Sequence, residues 1–123
     1  MSLKKRIQSF GFAFKGMATL FKTQPNARIH LIAMCAVTVA GYLLKVSTTE
    51  WCFTVIAFAM VLCAEAFNTA IEFVVDLISP DYHPLAGKAK DVAAAAVLIT
   101  AIGAAIVGII IFLPKLLILL KEY

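Results

Sequence analysis

The chain alternates long apolar runs with short polar breaks, and one run is crossed by a regular row of polar side chains. Residues 3–22 open with a helical period. Leu3, Ile7, Phe10, Phe14, Met17 and Phe21 share a face about 80° wide, with Lys4, Gln8, Lys15 and Lys22 on one flank. Apolar aromatics bordered by lysines predict an amphipathic helix lying in a membrane interface. Thr23-Gln24-Pro25-Asn26 breaks the period, and Pro25 suits the first position of a new helix. An apolar stretch over about 29–46 follows, long enough with its flanks to cross a bilayer. His30 sits at its entrance; taken alone, it reads as a satisfied or interfacial histidine rather than a ligand.

Ser47-Thr48-Thr49-Glu50 is a polar turn and a helix start, with Trp51 where an interfacial aromatic belongs. A second span is predicted over 51–78. It carries Glu65, Asn68, Glu72 and Asp76 among Val61, Phe67, Ile71 and Val75. Their offsets of 0, 3, 7 and 11 place all four within about 80° on one helix face. Glu65 is the deepest acid and Asp76 the shallowest. Residues 79–91, punctuated by Pro80, Pro84 and Gly87, read as the one long polar loop. A third span over 92–113 contains Gly103, Ala104 and Gly108, small residues that let membrane helices approach closely. Pro114 interrupts it, leaving a short tail.

Composition fixes the class. With 63% hydrophobic and 15% charged residues in 123, the chain is a single all-α integral membrane domain. Its +4 formal charge is distributed by topology. Eight of the eleven basic residues lie in the N-terminal segment and the 79–91 stretch, which three spans put on the same side. The positive-inside rule makes that side cytoplasmic, so the shallow end of the stripe faces the compartment that holds ATP. Basic residues spread in this way exclude a nucleic-acid surface. Cys35, Cys52 and Cys63 are odd in number, have no CxxC spacing and read as small buried hydrophobes.

Acids in apolar surroundings need a cation, a metal or one another. No Lys or Arg lies inside the first or third span to pair with them, which favours a bound cation or a shared proton. Structural pairing and a transport path remain the other readings. Glu72 with a neighbouring oxygen can hold Mg²⁺, which takes one or two protein carboxylates plus substrate phosphates. Glu65 suits a general base for a hydroxyl proton, and Asn68, one turn on, can orient either partner. Lys90 and Asp91, at the mouth of the third span, can complete such a site.

These residues carry a resemblance. Glu65-x-x-Asn68-Thr69-Ala70-Ile71-Glu72, Val75-Asp76, Tyr82-His83, Leu85, Gly87, Ala89-Lys90-Asp91 and Ala95-Ala96-Val97 closely resemble the bacterial integral-membrane diacylglycerol kinase family, which includes undecaprenol kinases. The tail Ile111-Phe112-Leu113-Pro114-Lys115-Leu116 looks most like the undecaprenol kinase branch. The resemblance implies a homotrimer in the bacterial inner membrane, with its N-terminus cytoplasmic and active sites shared between subunits. It implies Mg²⁺-dependent transfer of the γ-phosphate of ATP to a lipid hydroxyl, with diacylglycerol as the acceptor and undecaprenol as the alternative. Carried over by position, Glu65 is the catalytic base, Glu72 a metal ligand, and Asn68, Lys90 and Asp91 complete the polar site. Lys5, Arg6, Phe12, Asp81, Tyr82 and His83 line the nucleotide's path, and Phe14, Met17 and Ala94 contact lipid. Two positions depart from the pattern. The second metal-ligating glutamate falls on Gln24, whose amide can coordinate Mg²⁺ without the charge, and Phe12 replaces a tyrosine found in some members.

Overall fold

The computed structural model describes all residues, 1–123, as four helices and no strand. They are α1 (Leu3–Thr23), α2 (Pro25–Leu43), α3 (Thr48–Ile78) and α4 (Pro84–Lys121). The last three are long and apolar enough to cross a membrane. Few side chains are buried within the chain, and large apolar residues are exposed along every helix. In a bilayer that surface meets lipid or another chain instead of water.

The helix ends explain the turns. Ser2 caps α1 by accepting from the Lys5 amide. Gln24 closes α1 and opens α2, with Pro25 in the first helical position where its missing N–H costs nothing. After α2 the Val46 amide donates to Gly41 O and the Lys45 amide to Tyr42 O, which is a Schellman ending. Lys45 takes the left-handed position, at φ 54°. Gly41 is needed for a different reason: the Trp51 indole lies so close that an added Cβ would sit 2.5 Å from Cη2. Ser47 and Glu50 then form a capping box on α3.

α3 packs most extensively on α4, while α1 touches α2 and α3. α4 differs from its sequence reading at both ends. The connection is 79–83 rather than 79–91, because Pro84 occupies a first-turn position and His83 Nδ1 accepts the Leu85 amide. Hydropathy marks where a chain enters lipid, and the helix starts two turns earlier. Pro114 does not end the helix. In an apolar setting the backbone has no better partner than itself, so the ladder resumes around the gap. Lys115, just past it, reaches back to Glu50 at 3.1 Å and ties α4 to the start of α3.

Candidate functional site

The candidate site is a ladder up α3. Glu65 is 2% exposed, the most deeply buried charged residue in the chain. The His30 ring on α2 faces it, with Nε2 3.3 Å from Glu65 Oε1. The alignment falls short of a hydrogen bond, so this carboxylate oxygen is buried without one. One turn on, the Asn68 amide donates to Glu72 Oε1 at 3.4 Å, and Asn68 Oδ1 is likewise buried with no partner. Thr69 returns its hydroxyl to the Glu65 carbonyl at 2.8 Å, which leaves the Glu65 side chain uncommitted. At the shallow end Asp76 is exposed and pairs with Lys90 of α4 at 2.5 Å. The ladder thus faces α2 at its deep end and α4 at its shallow end.

Two unsatisfied oxygens within one helical turn are costly in an apolar wall, on the order of 1–3 kcal/mol each. Such a debt is retained where a hydroxyl or a cation arrives to cancel it. A cleft of about 390 Å³ lies between α1 and α3 at the level of these residues, lined by Gly16, Met17, Leu20, Ala66, Thr69 and Phe73. Most of its lining is apolar. It has the character of a path for an alkyl chain.

Residues 11–112 match the family described as prokaryotic diacylglycerol kinase. The chain belongs to that family. An undecaprenol kinase of Bacillus subtilis (strain 168) is 41% identical over 114 residues, which is 93% of each chain. A diacylglycerol kinase of Synechocystis sp. is 44% identical over 89% of this chain and 63% of its own length. A diacylglycerol kinase of Escherichia coli (strain K12) is 34% identical over 81% of this chain and 82% of its own. Membership makes the chain a lipid kinase homologue, and a kinase site needs a carboxylate for the hydroxyl and oxygens for a divalent metal.

Against that requirement, the fold sets Glu65 one turn from the hydrogen-bonded Asn68–Glu72 pair and joins Asp76 to Lys90. Other residues singled out from the sequence stand outside these contacts. Lys5, Arg6, Phe12 and Phe14 are exposed on α1, where Lys15 lies 5.7 Å over the Phe12 ring. Met17 lines the α1–α3 cleft, whereas Ala94 and Asp91 are exposed on α4. Asp81 and Tyr82 lie on the open connection, and His83 is engaged as the α4 cap. Gln24, at the α1–α2 joint, makes its side-chain hydrogen bond to Thr23 at 3.4 Å.

The donor chemistry fits a metal that arrives with phosphate. No three His, Cys, Asp or Glu side chains converge into a cage. Glu72 is half-buried and offers a hard oxygen, with the free Asn68 Oδ1 one turn away. That is the sparse protein share that Mg²⁺ takes in phosphoryl-transfer sites. The sequence reading missed two partners. It sought a Lys or Arg within the first and third spans, whereas Asp76 finds Lys90 just outside the third and Glu65 meets a histidine. The signal for His30 was its depth: a short turn makes α2 and α3 antiparallel, and this brings the entrance of one opposite the later turns of the other.

Proposed function

We propose that the protein phosphorylates a membrane lipid alcohol, transferring the γ-phosphoryl group of ATP to a primary hydroxyl. The observation that carries this is the buried Glu65 Oε1, left without a hydrogen bond one turn from the Asn68–Glu72 pair. In this reading the lipid hydroxyl donates to Glu65. Its proton passes to the carboxylate as its oxygen bonds to the γ-phosphorus, and the bond from that phosphorus to the β,γ-bridging oxygen breaks, releasing ADP. Asn68 orients the hydroxyl. Glu72 would hold Mg²⁺, with Gln24 as a weaker neutral ligand, and the ion would supply neutralisation of phosphate charge. Lys90 changes partner from Asp76 to phosphate, and Asp91 supports it. Lys5, Arg6, Phe12, Asp81, Tyr82 and His83 guide the nucleotide, and Phe14, Met17 and Ala94 contact the lipid.

The exposed apolar row of α1, with Leu3, Ile7, Phe10, Phe14 and Met17 all more than half exposed, supports an interfacial position for that helix. The basic residues favour an N-terminus on the cytoplasmic side of the bacterial inner membrane. The open flanks of the ladder favour a homotrimer in which a neighbour completes the site. Diacylglycerol is the acceptor named by the family and by two of the three relatives. Undecaprenol has its own support, since the Bacillus subtilis relative aligns over 93% of both chains.

The test is transfer from γ-labelled ATP with Mg²⁺ in lipid micelles, offering diacylglycerol and undecaprenol separately. Label in one lipid, lost in Glu65→Gln, identifies the acceptor and supports the base. Label in neither, across a wide range of Mg²⁺ and Mn²⁺, sinks the kinase reading.

A further inference from the structure

We infer that His30 is a positioning residue for the phosphoryl-transfer step, its imidazole N–H holding Glu65 Oε1 at the angle from which the carboxylate receives the lipid proton. The inference rests on Glu65 being the base. Glu65 reaches its oxygens through three rotatable bonds, and its own helix supplies no donor to fix them. A base that swings loses rate steeply, because a misplacement of about 1 Å costs on the order of 100-fold. Bases of this kind are commonly steadied by a third group.

His30 is placed for that role. Its Nε2 is 3.3 Å from Oε1, it belongs to the facing helix, and it is 26% exposed beside a carboxylate that is 3% exposed. The contact is within hydrogen-bonding distance but not aligned as a hydrogen bond, and the inferred role requires the ring to turn toward Oε1. Space for that rotation exists. The ring also borders a cavity of about 260 Å³ between α2, α3 and α4, walled by Met34, Val61, Ala104 and Gly108. That wall offers the imidazole no strong competing acceptor. Pro25 and the close α2–α3 turn fix the depth of α2, so the ring stays level with Glu65.

The experiment compares His30→Gln, His30→Met and His30→Leu with wild type and Glu65→Gln, in full-length protein in lipid micelles. Gln and Met match in length, but only Gln has an N–H to donate; Leu is a second donor-free variant. With ATP, Mg²⁺ and each lipid acceptor, Met and Leu are expected to lower kcat about 30-fold and leave the KM for ATP within about twofold. Gln is expected to restore kcat to within about threefold of wild type. Wild-type kcat in Met or Leu would overturn the inference. So would a Gln variant that falls as far as Met, since ring packing alone would then explain the loss. If Glu65→Gln stays active, the base assignment and this inference fail together. If Glu65→Gln is inactive and the Met variant is normal, only the role of His30 is lost.

Discussion

At the scale of single residues, the proposed chemistry rests on a few oxygens that the protein leaves unpaired. Glu65 Oε1 and Asn68 Oδ1 are buried without hydrogen bonds, against the general rule that buried polar atoms are satisfied. Replacing Glu65 by Gln keeps size and polarity but removes the proposed base. Lipid phosphorylation should fall by about 10³-fold, while nucleotide binding, measured by ATP-analogue titration, persists. Gln24→Glu adds the charge that the neutral amide lacks. The Mg²⁺ concentration for half-maximal rate should drop on the order of tenfold, about 1.4 kcal/mol of ion binding; an unchanged Mg²⁺ curve would remove Gln24 from the metal site. The row of Glu65, Asn68, Glu72 and Asp76 was legible in the sequence because a helix repeats every 3.6 residues, and spacing alone puts them on one face. Their partners were not legible in the same way. His30 and Lys90 come from other helices, and their meeting depends on how antiparallel rods slide against each other, which local spacing does not encode.

At the scale of elements, helix ends carry most of the specification. The three apolar spans could be read from hydropathy, and the capping of α3 from Ser47 and Glu50. The start of α4 was hidden because its first two turns, through Lys90, hold Pro84, Gly87 and two lysines, which read as a loop, and hydropathy does not mark helices outside lipid. Two substitutions test the α2–α3 hairpin. Lys45→Gly should raise stability by about 1 kcal/mol, because φ 54° costs a side-chain-bearing residue and glycine nothing. Gly41→Ala should lower it by about 1–3 kcal/mol, because the new methyl meets the Trp51 ring at 2.5 Å. Thermal unfolding in detergent, following helix signal and Trp51 fluorescence, measures both. Opposite signs from two positions in one turn would be hard to obtain unless this ending is as described.

At the scale of the whole molecule, an isolated chain hides little of itself. Leu77, Ile78, Val92 and Ile99 are all more than two-thirds exposed. Lipid can cover such surface, but it cannot supply the charged groups that α1 and the 79–83 connection hold away from the ladder. If the proposed trimer completes each ladder with α1 of a neighbour, an inactive Glu65→Gln chain mixed with an inactive chain carrying Lys5→Ala and Arg6→Ala should regain a measurable fraction of activity on co-reconstitution. Cross-linking in micelles should give a ladder ending at three chains. No recovery of activity on mixing, together with a one-chain mass in detergent, would make each chain a self-contained site.

One contact bears on how such a bundle moves. Lys115 and Glu50 meet at the end of α3 farthest from the ladder, each side chain 27% exposed. Asp76 and Lys90 meet at the other end, at 63% and 40%. Water screens the second pair more, and exposed ion pairs contribute about 0–1 kcal/mol. Rods clasped more firmly at one end behave like tweezers. Separation of α3 from α4 is therefore expected to begin at the Asp76–Lys90 end, with the Glu50–Lys115 end as the pivot.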